Sequence, residues 1–367
     1  MALINYLARI HFDLGAIAQL PGEVERLGIT RPLLVTDPGV AEAGHAERVA
    51  ELLRTPAIFT DTPANPTEAA AKQAFAIYTQ DKCDGVIALG GGSAIDLAKA
   101  VGLLATHPGT LAEYGIKAGG YDKIGEITPF IAIPTASGTG AEVGRACVMT
   151  LETGAKIACV HENLIADVVI CDPELTVSLP RRFTAATGMD ALCHGIETYL
   201  STTYNPPAEA IARDCVIRCA NWLKITADEP DNREARSEMM MAALEGGLCL
   251  QKGLGAIHAA TLPLGALGLH HGELNAIVMP HVIKFNRDYA ADKIVALEQA
   301  AGLNDKLEDW CASLTKYLGL PTRLGELGVT EAQLPKMAQE AAGEHLNQTN
   351  PKPLDAEEML AIMRKAL

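Results

Sequence analysis

Two patterns divide the chain. Up to about residue 175, short β-rich apolar runs alternate with longer stretches at helical period. Residues 32–37 (PLLVTD), 57–60 (AIFT), 85–89 (GVIAL), 129–134 (PFIAIP) and 168–171 (VVIC) read as strands. Residues 67–80, preceded by Asn65-Pro66, and residues 94–105 read as helices. Such alternation predicts a parallel sheet covered by helices on both faces. Beyond residue 178 the strand signals stop. Ala/Leu/Met/Glu-rich segments follow at 185–200, 208–225, 233–249, 291–301, 307–318 and 356–366, separated by Asn205-Pro206-Pro207, Glu229-Pro230 and Pro321. The pattern predicts an α/β domain over 1–178 and an all-α domain over 179–367, with a ligand site in the cleft between them.

Composition narrows the partners. The chain has 367 residues, 49% hydrophobic and 20% charged, which is globular. Its net charge of −15 disfavours phosphate backbones and anionic membrane surfaces, and aromatics at 4% leave little for base stacking. Nucleic acid is therefore not expected. Nine cysteines without a CxxC pair point to a reducing, cytoplasmic setting. Arg9 and Asp13 come too early for a signal-peptide core. Residues 253–272 carry no Asp, Glu, Lys or Arg, but their histidines, Pro263 and glycines make a poor membrane span.

Leu89-Gly90-Gly91-Gly92-Ser93 stands where a strand turns into a helix. Glycines let the backbone approach a phosphate, and helix N-terminal amides stabilise its charge. Ser93 reads as the N-cap, with Asp96 three residues on as in a capping box. The spacing is not G-x-G-x-x-G, and the best ribose-binding acid, Asp37, precedes the glycines instead of following them. A second loop, Pro134 to Gly140 (PTASGTG), also follows a strand and offers hydroxyls and amides.

Asp190 and His194 are four apart and share a helix face. Alone, such a pair is usually a surface hydrogen bond. His258 and His271, in an otherwise uncharged segment, give it weight. Pro263 and Gly265 are expected to interrupt any helix between them, so the two converge from different elements. One carboxylate and three imidazoles suit Fe²⁺ or Zn²⁺. His281 reads as structural.

LLVTDPGV, GVIALGGGSAIDLAKA, IAIPTASGTGAEV, DPELTVSLP, TAATGMDALCHGIETY, GLGAIHAATLPLGALGLHHGELNAIVMPHVIKFN and a late TNP occur in this order. The chain thereby resembles the iron-containing (group III) alcohol dehydrogenase family over nearly its whole length. The resemblance implies a Rossmann-like dinucleotide domain followed by a helical domain, the architecture shared with dehydroquinate synthase. It implies Fe²⁺ (with Zn²⁺ as the alternative) on Asp190, His194, His258 and His271. It also implies NAD contacted by Asp37, Gly91, Gly92, Ser93, Thr135, Thr139 and Lys156. Asp37 is expected to bond the adenosine ribose and repel a 2′-phosphate. A homodimer is expected, acting on a small alcohol and its aldehyde.

Two departures stand out. Relatives commonly carry a histidine, associated with proton transfer, where this chain has Leu262. The last metal segment is one residue shorter than in better-known members, giving adjacent His270 and His271. The ligand is assigned to His271 because it precedes Gly272, and His270 is either a substitute proton relay or a rim residue. Arg145, just after the second loop, is either a carboxylate clamp for a hydroxy acid or a solvated loop residue. The reading is a reversible, NAD- and metal-dependent alcohol dehydrogenase. The alternatives are a non-redox lyase and a cofactor-binding protein with impaired chemistry.

Overall fold

A computed structural model describes residues 4, 6 and 8–367. Part of the N-terminal stretch read above for a signal peptide (residues 1–3, 5 and 7) lies outside the described residues. The chain forms two compact units. One comprises Tyr6–Ala136 and Gly140–Ser178; Leu179–Leu367 and Ser137–Thr139 belong to the other.

The first unit is built on a six-stranded parallel sheet of β1 (Arg9–Phe12), β2 (Pro32–Val35), β3 (Ala57–Phe59), β4 (Gly85–Gly90), β5 (Phe130–Pro134) and β8 (Val168–Cys171). Their order across the sheet is β1-β8-β5-β4-β2-β3. Helices α1 (Leu20–Arg26), α2 (Pro38–Glu42), α3 (His45–Ala50), α4 (Glu68–Gln80) and α5 (Gly92–Thr106) connect them. Leu33, Leu34, Val35, Val86, Ile87, Leu89, Ile131 and Ile133 are fully buried, as expected of central strands covered on both faces. A separate antiparallel hairpin joins β6 (Ala146–Thr150) to β7 (Lys156–Val160).

The sequence reading missed β1 and the hairpin, and its first strand ends at Val35, not at 37. The Ser93 cap is corrected as well. Helix α5 begins at Gly92 with Gly91 as its N-cap, and the Ser93 hydroxyl donates to the Ala64 carbonyl. Asp96 is half-buried and turns its carboxylate to the hairpin, accepting the Val148 N–H at 3.0 Å. With glycine at the N-cap, the first amides of α5 carry no side-chain cap.

The second unit is all helical: α6 (Arg181–Leu200), α7 (Pro206–Asp228), α8 (Arg233–Cys249), α9 (Ala256–Gly265), α10 (His271–Ala300), α11 (Leu307–Tyr317), α12 (Leu334–Ala342) and α13 (Ala356–Ala366). Helix α6 is central, buried almost continuously from Thr184 to Leu200, and packs against α7, α8 and α10. The expected helix at 291–301 is the end of the much longer α10, which bends at Ala290. Pro280 does not break α10. The carbonyl it leaves open, that of Ala276, lies 3.4 Å from the Thr315 hydroxyl, which donates to it. Helix α9 likewise runs through Pro263 before ending at Gly265, so the expected interruption comes slightly later. No described helix is long and apolar enough to cross a membrane, and all nine cysteines are free and buried.

Candidate functional site

In the first unit the strand order reverses between β2 and β4: the chain passes from β2 outward to β3, then returns to β4 on the other side. In parallel sheets the carboxyl ends of strands flanking such a reversal form the usual ligand crevice. Asp37 follows β2 there, and Gly90 ends β4, with Gly91 and Gly92 after it. Gly90 has φ +155°, and a Cβ on it would lie 2.7 Å from Ala94 Cβ and 3.1 Å from Asp37 Oδ2. Only glycine lets the chain turn here with the carboxylate so close. Asp37 also caps α2, its Oδ1 accepting the Val40 N–H at 3.0 Å. The Thr135 N–H, just past β5, donates to the Gly90 carbonyl at 3.1 Å and ties the two loops together. Lys156 opens β7; burial lowers its pKa, against the pull of Asp96. The tip of the second loop, Ser137–Thr139, packs with the helical unit, where Gly138 lies against Thr187 of α6.

In the second unit, four residues distant in sequence converge. Asp190 and His194 lie on α6, His258 on α9, and His271 is the first residue of α10. Asp190 Oδ1 is 3.8 Å from His194 Nε2, 3.7 Å from His258 Nε2 and 3.6 Å from His271 Nε2. Ring centroids of His194 and His258 are 4.8 Å apart, and those of His258 and His271 5.2 Å. Three of the four are almost fully buried, while the His271 side chain is 36% exposed and forms the open edge. Burial works to raise the Asp190 pKa, but His194, His271 and His258 hold it well below the usual carboxylate range. Burial pushes His194 down to about 4, against the attraction of Asp190. For His194 that gives a neutral imidazole beside an ionised carboxylate, the form that binds a cation; at His258 burial works the same way, but Cys193, Glu197 and Asp190 raise the pKa well above its ordinary value.

A second layer escaped the sequence reading. Glu197 lies seven residues after Asp190, on the same face of α6. Its Oε1 accepts the Ile257 N–H at 2.6 Å; its Oε2 accepts the His258 N–H at 3.3 Å and lies 2.5 Å from His258 Nδ1. From the other side, Asn275 Nδ2 donates to Asp190 Oδ1 at 2.7 Å and stands 3.3 Å from His258 Nε2 and 3.1 Å from His271 Nε2. The Thr261 hydroxyl orients that amide by donating to Asn275 Oδ1 at 2.7 Å. Asn350, the asparagine of the late TNP, accepts the Ala256 N–H at 3.2 Å and exchanges hydrogen bonds with Asn286. The heptad spacing of Glu197 from Asp190 was a usable signal. Asn275 gave none beyond being polar in an apolar segment, and Asn350 none beyond the TNP that contains it.

His270 is not part of this group. It caps α10 from outside, its ring lies 5.8 Å from that of Phe183, and its buried Nδ1 makes no hydrogen bond. The structure thus brings His271, and not its neighbour, to Asp190. Leu262 is half-buried one turn beyond His258 on α9.

Comparison with known proteins agrees with this architecture. Residues 8–173 match the model described as iron-containing alcohol dehydrogenase, and residues 184–367 match the C-terminal model of the Fe-containing alcohol dehydrogenase family. The chain is 44% identical to a 4-hydroxybutyrate dehydrogenase of Cupriavidus necator, covering 100% of both chains. Among solved structures it resembles a 1,3-propanediol oxidoreductase, with a TM-score of 0.93, 32% identity and 100% coverage of each chain. It also resembles a sulfoacetaldehyde reductase from Bifidobacterium kashiwanohense in complex with NAD⁺, with a TM-score of 0.90, 27% identity and coverage of 100% and 98%. Parallel sheet, helical unit and matched family models lead to one conclusion: the chain belongs to the iron-containing alcohol dehydrogenase family and is an oxidoreductase acting on the CH–OH group of a hydroxy compound.

Proposed function

We propose that this chain is an NAD- and divalent-metal-dependent dehydrogenase that interconverts a short ω-hydroxy acid and its semialdehyde. The observation that carries the reading is the placement of Asp190 Oδ1 within 3.8 Å of three imidazole Nε2 atoms. Ligands about 2.1 Å from one ion stand roughly 3.4 Å apart, close to the separation of Asp190 Oδ1 from each imidazole, and the ligand atoms of Asp190, His258 and His271 all lie within 4.8 Å of one another. The donor set fits Fe²⁺, with Zn²⁺ the alternative. Asp190, His194, His258 and His271 would hold the ion, and the exposed edge of His271 leaves a side for substrate. Such an ion supplies Lewis-acid polarisation of the substrate oxygen, and NAD supplies the hydride acceptor.

The chain's own residues do the rest. Gly91, Gly92 and Ser93 present the amino end of α5 to the pyrophosphate. Thr135, Thr139 and Lys156 add contacts from the second loop and the hairpin, and Asp37 holds the adenosine ribose and repels a 2′-phosphate. Leu262 offers no proton carrier, so the proton leaves through water, a ribose hydroxyl or His270. His270 is the remaining imidazole of the segment and the candidate relay. The carboxylated substrate is supported by the 4-hydroxybutyrate dehydrogenase relative, with Arg145 as the proposed clamp. A cytoplasmic homodimer completes the reading.

The test is NADH consumption by anaerobically purified protein, with and without Fe²⁺ or Zn²⁺, against four-carbon aldehydes with and without a terminal carboxylate. Metal-dependent turnover favouring the carboxylated aldehyde is expected. Binding of metal and NADH without turnover would replace this reading with a cofactor-binding protein disabled at Leu262, or with a non-redox lyase.

A further inference from the structure

We infer that Glu197 is a positioning residue for the metal site: it fixes His258 with the proton on Nδ1 and the lone pair of Nε2 directed at Asp190. The inference rests on the metal-site reading above. A carboxylate oxygen that already accepts a backbone N–H is an acceptor toward its next neighbour too. Glu197 Oε2 accepts from the His258 N–H, so the contact at 2.5 Å to Nδ1 requires the ring to donate there. On the opposite side of the same ring, Nε2 lies 3.3 Å from the Asn275 amide nitrogen, a neighbour compatible with a lone pair there. Once Nδ1 donates to Glu197, the neutral ring keeps its lone pair on Nε2.

The carboxylate also fixes where the ring stands. Glu197 accepts the N–H groups of Ile257 and His258, among the unpaired donors of the first turn of α9. A negative charge at that terminus is favourable in itself. One side chain on α6, the helix of Asp190 and His194, thus sets the position of α9, the ring orientation of His258 and its tautomer. Gly255 leaves the space: a Cβ there would lie 2.8 Å from Glu197 Oε1. Such outer carboxylates typically change metal affinity by about 10–100-fold.

Glu197→Gln cannot reproduce this pattern. With its amide nitrogen at Oε2, a donor confronts the His258 N–H and demands a lone pair on Nδ1; with it at Oε1, a donor confronts the Ile257 N–H. The test is a double-mutant cycle in Zn²⁺ affinity, measured by chelator competition on Glu197→Gln, His258→Ala and the double variant. Each single variant is expected to weaken Zn²⁺ binding at least about tenfold, and the double variant to bind no more weakly than His258→Ala. Unchanged affinity in Glu197→Gln, or additive losses in the double variant, would overturn the positioning role. Unchanged affinity in His258→Ala would overturn the metal-site reading instead. Should Glu197→Gln not fold, ¹H–¹⁵N spectra of the zinc-loaded wild-type protein decide: a proton on His258 Nδ1 supports the inference, and one on Nε2 sinks it.

Discussion

Gly272 lies so close to Ala186 that a Cβ on it would stand 2.1 Å from the Ala186 carbonyl oxygen. This contact seats the first turn of α10 on α6 and so sets His271 against Asp190. Gly272→Ala must push the two helices apart. We expect a loss of about 1–3 kcal/mol in stability, the usual range for overpacking, together with weakened Zn²⁺ binding. Urea unfolding and chelator competition on the same preparation check both. Unchanged Zn²⁺ affinity in a destabilised variant would show that His271 does not depend on this seat.

Asp37 combines a cap with a charge. Asp37→Ser keeps an oxygen for the Val40 N–H and removes the negative charge proposed to face the ribose. The ratio of kcat/KM for NADPH to that for NADH is expected to rise at least about tenfold, or 1.4 kcal/mol. A ratio that stays put would mean that cofactor choice is made elsewhere.

Leu262 occupies the turn after His258 without a titratable group. Leu262→His is expected to raise kcat about tenfold or more, within the range of general acid–base assistance, and to leave KM for NADH alone. Steady-state kinetics suffice, and an unchanged kcat would place the slow step away from proton transfer.

Arg145 is tested by truncation. Arg145→Ala is expected to raise KM about 10–100-fold for a carboxylated aldehyde, the worth of a charge-assisted hydrogen bond, and to spare neutral aldehydes. Equal effects on both substrate types would remove it as a clamp.

Glu23 gives a pH-dependent prediction in the first unit. Its buried carboxylate meets Arg9 Nε at 2.8 Å, His11 Nε2 at 2.6 Å and Arg26 Nε at 2.5 Å. Burial works to raise its pKa, but Arg26, His11 and Arg9 bring it from an ordinary 4.5 down to about 2. A pKa depressed by folding contributes stability in full above pH 4.5, which is lost as the pH falls toward 2. The difference in urea midpoint between wild type and Glu23→Gln should therefore shrink steadily over that interval. A constant difference would mean that the ion cluster contributes nothing through charge.

The central strands and the four converging residues were legible because each leaves a strong local mark. Fully buried parallel strands are unbroken apolar runs, and Asp190, His194, His258 and His271 are polar residues in apolar surroundings. Strand β1 was not legible: RIHF has charge and histidine mixed into four residues at a sheet edge, where only one neighbour, β8, pairs with it. The start of α10 was hidden by Pro280, whose cost is offset by Thr315, a residue from another helix that no local window includes. Ser93 looked like a cap by residue type, but the helix already begins at Gly92, one residue before it. Glu197 reaches His258 61 positions away, Asn275 reaches Asp190 85 positions away and Asn350 reaches Ala256 94 positions away, and a single sequence does not show which residues pair over such distances.

Asn350 also bears on the order of events during synthesis. It is made 94 residues after Ala256, whose N–H it receives at the head of the His258 helix. While the chain is still emerging, that helix lacks its asparagine partner, and Asn286 lacks the amide with which it exchanges bonds. The strands of the first unit are all translated by residue 171, long before this closure. Domains generally fold in the order they are made, so the sheet comes first and the histidine cluster is completed only by the finished chain. A transcript truncated before the TNP segment would yield the cofactor-type sheet with an incompletely fastened histidine helix.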